Sequence, residues 1–358
     1  MSISSRTNIR IAVQPDHAFG GRNANWFSEI WLRDLKRRSI TCDEIDLEHI
    51  GLLNSLREYD GLLWRPELIP KHKVMARRMI PVLDRLLNGC IYPDTQTYWH
   101  YDDKVAEAFL FDAIGIPTPA TWVFWSYEEA MAFLRQAKYP LMAKLAGGAQ
   151  SSNVRIIRSA EEGQKLCEWL FQAQLFNIHR PFLSKRVEWQ HRLRTVVKTA
   201  LKGYGGIPQV WWEPHKGYAL FQEFVPGNNY DTRVCVVGEV AWAYRRLNRP
   251  HDYRASGSGR FDMDPSQVDE QFIHLAFAIS KKLGMQSCAV DGVYRNGKPV
   301  ILEMSYAFGC VGVQDWPVWR NTDGHLIREH TPRDPAREIL CGVIKRIQER
   351  TDVQVLSR

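Results

Sequence analysis

At 358 residues, 45% hydrophobic and 24% charged, the chain has the length and composition of two or three ordinary globular domains with real cores. No run of 18 apolar residues occurs and the first ten residues lack the apolar stretch of a signal peptide, so the sequence predicts a cytoplasmic protein that does not span a membrane. Seven cysteines, an odd number with no Cys-x-x-Cys pair, read as reduced side chains rather than a disulfide framework or a zinc site, and a formal charge of +7 points to acidic partners: phosphates, carboxylates or nucleic acid.

In chain order, residues 8–14 (NIRIAVQ) read as a first strand, followed by a Gly20-Gly21 turn and an amphipathic run from Trp26 to Arg38. Strands fit Glu44 to Leu47 and Asp60 to Trp64, with a helix from Val74 to Leu87. This alternation predicts an α/β opening with a doubly wound parallel sheet. His17 and Gly20-Gly21 fall beyond the first strand, where such sheets bind ligands, but no Gly-x-Gly-x-x-Gly is present and a plain tight turn is the favoured reading. Asp102-Asp103-Lys104 starts a helix with acids at its positive end, and Gly115 with Pro117 stops it.

Capping boxes at Ser126/Glu129 and Ser159/Glu162 announce two more helices. Between them, a strand ending at Lys144 and a strand 153–157 flank a small-residue loop, 146–152, whose backbone N–H groups can wrap an anion while Lys144 adds charge. Residues 177–217 interleave basic and aromatic side chains. The favoured reading is an amphipathic helix with a basic outer face, ahead of an acidic small substrate or a nucleic-acid surface. Strands then fit Ala219 to Val225, Asp231 to Val237 and Val240 to Leu247. Pairing Val237 with Val240 sets Asp231 opposite Arg246, with Arg233 on the same face. A helix from Ser266 to Leu283, an irregular aromatic stretch from Phe308 to Arg320 and a last helix from Asp334 to Arg350 complete the chain.

The stretch Cys288 to Ser305 (CAVDGVYRNGKPVILEMS) reads as a β-hairpin with one acid on each strand, Asp291 and Glu303. A two-residue Asn296-Gly297 turn pairs Arg295 with Lys298 and, with unbroken alternation, sends the acids to opposite faces. A three-residue turn with Gly297 in a bulge pairs Tyr294 with Lys298 and brings Asp291, Glu303 and Ser305 onto one face, a set of hard oxygens suited to Mg²⁺ alongside nucleotide phosphates.

The succession of Asp103-Lys104, Lys144 before a glycine loop, Gln222-Glu223-Phe224-Val225, Asp231-x-Arg233, Arg246, Arg254, Asp291 and Glu303 resembles the ATP-grasp superfamily, nearest to its glutathione synthetase and ribosomal-protein glutamate ligase branch. The resemblance runs from about residue 100 to 305. It implies an N-terminal doubly wound domain (1–98) and two α+β lobes (99–221 and 222–350) that enclose ATP. It further implies that Lys104 and Lys144 touch the ATP phosphates under a lid from Gly147 and Gly148 to Ser151 and Ser152, and that the backbone of Gln222, Glu223, Phe224 and Val225 meets the adenine edge. Asp231 corresponds to a ribose ligand, and Arg246 and Arg254 to catalytic cations near the transferring phosphate. Asp291 and Glu303 correspond to the acids that hold Mg²⁺, or Mn²⁺ in its place, with Ser305 standing where Asn is usual. The implied activity is a ligase that joins a small acidic carboxylate to an amine through an acyl phosphate and releases ADP and phosphate, with an ATP-grasp kinase or a catalytically decayed nucleotide- or nucleic-acid-binding protein as alternatives. Nucleic acid is disfavoured as a partner, and homo-oligomerisation stays open.

Overall fold

The computed structural model describes residues 9–16, 26–148, 153–172, 215–309 and 318–356. The His17 and Gly20-Gly21 turn, loop residues Ser151 and Ser152, and the basic segment up to residue 214 therefore lie outside the described residues.

Four short strands, β1 (Arg10–Val13), β2 (Thr41–Glu44), β3 (Gly61–Leu63) and β4 (Ile91–Tyr92), form an all-parallel sheet in the order β2-β1-β3-β4. Helices α1 (Phe27–Arg37), α2 (Leu52–Leu56), α3 (Pro70–Leu86) and α4 (Thr95–Tyr98) connect and cover them. The second strand lies three residues before the expected Glu44–Leu47. Thr-Cys-Asp-Glu is polar because it forms the sheet edge, and the apolar signal just after it comes from Leu47, which turns into the core.

Helix α5 (Lys104–Ala113) follows, its first turn capped by Asp103 Oδ1, which accepts from the N–H groups of Val105 and Ala106 (both 3.1 Å). A second, antiparallel sheet comprises β5 (Thr121–Phe124), β6 (Leu141–Lys144), β7 (Val154–Ile157) and β8 (Ala219–Glu223) in the order β5-β8-β6-β7. It packs against α6 (Tyr127–Gln136) and α7 (Ala160–Gln172). Both predicted caps form, with Ser126 and Ser159 hydroxyls accepting from Glu129 N and Glu162 N (3.3 Å each).

The third sheet is the largest. Strands β9 (Tyr230–Val237), β10 (Val240–Leu247), β11 (Phe261–Asp262), β12 (Ser287–Arg295), β13 (Lys298–Ser305), β14 (Val318–Thr322) and β15 (His325–Glu329) run in the order β13-β12-β9-β10-β14-β15, with β11 beside β10. Helix α8 (Glu270–Lys282) packs on β9 and β12, and α9 (Pro335–Leu356) packs against α1 and the parallel sheet. One continuous core joins the parallel sheet, the large sheet and α9, whereas the middle sheet has its own core around Leu134, Leu141, Leu166 and Phe221. No helix among the described residues is long and apolar enough to cross a membrane.

The organising hairpin takes neither of its two expected forms. Arg295 pairs with Lys298 around a two-residue turn, with Asn296 and Gly297 both at positive φ (51° and 74°), the backbone a type I′ turn demands. Further along, the register shifts: Gly292 pairs with Ile301, but Asp291 pairs with Glu303. The extra residue is Leu302, and this bulge within β13 returns both acids to one face. The expectation of a shared face is met, while its cause lies five residues beyond the turn, where a bulge leaves no local sequence mark.

Gly292 sits beside that bulge under Phe272. A Cβ there would lie 2.4 Å from Phe272 Cε1 and 3.0 Å from the Val300 carbonyl oxygen, so a methyl group has no room without moving the backbone. Gly292→Ala is expected to cost about 1–3 kcal/mol in urea unfolding; an unchanged midpoint would show that the bulge relaxes freely.

Candidate functional site

The register of β12, β9 and β10 sets four charged side chains side by side. Asp291 pairs with Arg233 across β12 and β9, and Asp231 pairs with Arg246 across β9 and β10, as the spacing predicts for the second pair. Arg233 Nε and Nη2 donate to the two oxygens of Asp291 (2.6 Å each), and Arg246 Nε and Nη2 donate to Asp231 (2.7 and 2.6 Å). Arg246 Nη2 also reaches Asp291 Oδ2 at 2.6 Å. Charges thus alternate in space, and each fork-to-carboxylate contact is of the strong bidentate kind. Burial alone would raise the Asp291 carboxyl, but Arg233 and Arg246 outweigh it and hold that group well below the usual carboxylate range.

A second cluster forms where α5 and the end of β6 meet β13. Lys144, whose side chain is buried, donates from Nζ to the carbonyl of Leu302 (3.3 Å), the residue that the bulge takes out of the regular ladder. Lys104 Nζ donates to Gly148 O (3.0 Å) and lies 3.9 Å from Glu303 Oε2. One turn along α5, Glu107 accepts from Met304 N (3.2 Å). Burial pushes the Glu107 carboxyl up to about 8, against the pull of Lys104 and with Glu303 adding to the rise. Burial likewise lowers the Lys144 ammonium to about 8, Glu303 opposing the fall and Lys104 reinforcing it.

From these clusters Lys144, Asp231, Arg246, Asp291 and Glu303 reach the wall of a cavity of about 210 Å³ between the middle and large sheets. Lys144, Arg246, Arg254, Asp291 and Glu303 line the charged end, and Met142, Val154, Phe224, Val293 and Leu302 supply apolar wall. Gln222, Glu223, Val225 and Asp231 also face it. Gln222 Nε2 donates to Thr121 Oγ1 (2.9 Å), and Glu223 accepts from Arg295 Nε (2.9 Å) and Ala120 N (3.2 Å), so both side chains are tied to the framework. Phe224 meets Tyr253 edge to face, and Arg254 forks onto Asp252. An apolar slot that ends in clustered cations suits a flat base with a polyanionic tail.

The structure brings together Lys104, Lys144, Arg246, Asp291 and Glu303, with Gly148 at their edge, and Arg254 lines the same cavity from the loop after β10. Gly147 is present at the loop root, while Ser151 and Ser152 lie outside the described residues. Both Asp231 oxygens are engaged by Arg246. Ser305 shares the acids' face, but its hydroxyl donates to Ala307 O (2.8 Å) and accepts from Ala307 N (3.1 Å). Both Asp291 oxygens are likewise taken, by Arg233 and Arg246, so of the three oxygen donors expected for a metal only Glu303 is left with a carboxylate to offer a hard cation, whose shell would have to be completed by phosphate oxygens and water. Among the described residues, no group of three His, Cys, Asp or Glu is arranged to hold a metal. Sequence reading missed Arg233 as a site residue, although the Asp231-x-Arg233 pattern put it on the right face, and missed Glu107, whose i+3 spacing from Lys104 was a usable signal.

No family model and no curated protein matches the sequence. Solved structures do match. A RimK domain ATP-grasp protein from Sphaerobacter thermophilus superposes with a TM-score of 0.53 at 15% identity, over 94% of this chain and 99% of that one. A D-alanine–D-alanine ligase from Bacillus anthracis complexed with ATP gives 0.53 at 13% identity, over 97% and 99%. The ATP-grasp ligase PsnB, complexed with its precursor peptide PsnA2 and AMPPNP, gives 0.52 at 13% identity, over 95% and 98%. The chain has the ATP-grasp fold, as the order of its motifs implies. The likeness extends through the N-terminal parallel sheet and is not confined to the two lobes around the cavity.

Lys144 gives the site a pH signature. Its ammonium is charged below about 8 and neutral above, so affinity for a polyphosphate is expected to fall as pH rises through that value, with proton uptake on binding. Calorimetry in buffers of different ionisation enthalpy measures the uptake. Lys144→Arg should flatten the pH dependence to the share that Glu107 contributes in the same window, and an identical profile in that variant would take Lys144 out of contact with the ligand.

Proposed function

We propose that the protein is an ATP- and Mg²⁺-dependent carboxylate–amine ligase that works through an acyl phosphate. The observation that carries this reading is the convergence of Lys144, Arg246, Asp291 and Glu303 on the wall of one partly apolar cavity, with Lys104 beside Glu303 and Arg233 on Asp291 just behind them. Two of the structural neighbours are named as ligases, one solved with ATP and one with AMPPNP, and this supports the same reading.

In this reading the base lies in the apolar slot beside Phe224 and Val225, read by backbone groups because the Gln222 and Glu223 side chains are already committed. Lys104 and Lys144 exchange their present carbonyl partners, Gly148 and Leu302, for phosphate oxygens. Arg246 and Arg254 face the transferring phosphoryl group. The acyl carboxylate oxygen attacks the γ-phosphorus and ADP leaves; the amine then attacks the acyl carbon, loses a proton and expels phosphate. Fixed cations in a water-poor pocket stabilise the charge that develops on the phosphoryl oxygens in both steps. Magnesium held by Glu303, and by Asp291 only if it releases an arginine partner, would add charge neutralisation at the same oxygens. Asp231 then acts chiefly by orienting Arg246, and the positive surroundings suit an acidic carboxylate as the acyl donor.

Glu303→Gln and Asp291→Asn should separate two roles. Both are expected to abolish ADP release. Glu303→Gln, at a half-buried position, should change stability by no more than about 0.5 kcal/mol. Asp291→Asn should cost about 3–5 kcal/mol, because it leaves Arg233 and Arg246 facing a neutral amide in a buried site. Full turnover of Glu303→Gln at saturating Mg²⁺ would remove the metal assignment.

The ligase itself is tested with a carboxylic acid labelled with heavy oxygen and a panel of amines. One labelled atom should appear in the released phosphate, with one ADP and one amide formed. A stable phosphorylated product with no amide would instead identify a kinase.

A further inference from the structure

Asp102 stands outside the cavity, and its sequence context suggests nothing more than an acid at the start of α5. Its side chain nevertheless bridges two parts of the molecule. Oδ2 accepts from Lys73 Nζ of α3 at 2.7 Å, in an ion pair whose side chains are 9% and 8% exposed. Oδ1 accepts from the N–H of Gly148 at 2.8 Å. The residue adopts a positive φ of 54°, a conformation that Asp and Asn tolerate better than most residues. One carboxylate thus ties the helix layer of the parallel sheet to the glycine loop after β6.

The rest of the loop root is held with equal completeness. Ala146 N donates to Tyr218 Oη (2.7 Å), itself hydrogen-bonded to His215 Nδ1 (2.8 Å), and Ala146 O accepts from Lys104 N (3.0 Å). Gly147 O accepts from Asn153 Nδ2 (2.7 Å), and Gly148 O accepts from Lys104 Nζ (3.0 Å). Asp102 and Lys104 therefore grip opposite ends of the Gly148 residue, the first its N–H and the second its carbonyl. The Lys104 ammonium is also drawn by the Asp102 charge, after Glu303. If the Lys73 ammonium were withdrawn, Asp102 would be left as a buried anion with the Lys104 ammonium, which its charge already draws, as an alternative partner, and Lys104 would be pulled from the position in which it can meet a phosphate.

We propose that Asp102, neutralised by Lys73, is a positioning residue for phosphate recognition, fixing both the root of the glycine loop and the direction of the Lys104 ammonium. This rests on the ATP-binding reading above and extends it to a residue that touches no part of the nucleotide. The effect should fall on the phosphate end of the ligand alone, because the base slot is built from the other side of the cavity.

Asp102→Asn keeps the tolerance for positive φ and an acceptor for Gly148, and removes only the charge. Lys73→Met removes the partner. Each is expected to weaken ATP binding about tenfold, with adenosine affinity unchanged, and the double variant should be no weaker than the worse single one, since both break one pair. Thermal unfolding of each variant checks that it is folded. Parallel losses for ATP and adenosine, or additive losses in the double variant, would reduce the pair to general structural support and overturn the proposal. Should Lys73→Met fail to fold, the ATP-to-adenosine comparison in Asp102→Asn decides alone. A wild-type protein that binds neither ligand would sink the ATP reading itself, whereas wild-type binding with an unaltered Asp102→Asn would sink only the role of Asp102.

Discussion

The site depends on the alternation of guanidinium and carboxylate across β12, β9 and β10. Three buried charges, Asp231, Arg246 and Asp291, and the partly buried Arg233 cannot be tolerated singly, since removing any one strands its neighbours in a medium that solvates them poorly. Taken together, Arg233, Asp291, Arg246 and Asp231 satisfy one another at 2.6 to 2.7 Å and hold a rigid charged floor beneath the cavity. That arrangement requires strict register. A slip of one residue between β9 and either neighbour would turn an arginine or an aspartate to the opposite face of the sheet. The apolar residues between them, such as Val234, Val236 and Val290, are fully buried and make that slip costly.

The bulge at Leu302 solves a related problem. A type I′ turn gives the hairpin its tight end, but unbroken pairing from that turn would separate Asp291 from Glu303. One extra residue restores their juxtaposition and frees a carbonyl, and that carbonyl is where Lys144 now rests. The same irregularity thus aligns the acids and orients the lysine. Glu107, by accepting from Met304 N immediately beyond, ties α5 to the strand at this point.

Much of this was legible in the sequence because it is local. Capping residues at Ser126 and Ser159, the Val237–Val240 hairpin and its Asp231–Arg246 pair, and the order of the ATP-grasp motifs all follow from spacing. What stayed hidden was set by distant partners. The bulge lies beside Gly292, which packs under Phe272, and not at the turn. Strand β4 is only two residues long, and β2 is a polar edge strand, so neither has a periodicity to detect. The tie from Lys73 to Asp102 spans 29 positions between helices of different layers, and the β14–β15 hairpin lies partly within a stretch that reads as irregular.

The division of the hydrophobic core has a mechanical meaning. The parallel sheet and the large sheet are fused through α9 into one body, with Trp31 Nε1 donating to Ala336 O as part of the weld, whereas the middle sheet is cored separately. The cavity runs along the seam between them. Polar ties cross that seam, among them Lys144 to Leu302 and Arg295 to Glu223. Helix α5 belongs to both sides, with Phe111 in the fused core and Val105 in a small cluster with Tyr218 and Leu220. The lysine at its first turn therefore stands on the one helix, among the described residues, whose buried residues are shared between the fused core and the cluster under the middle sheet.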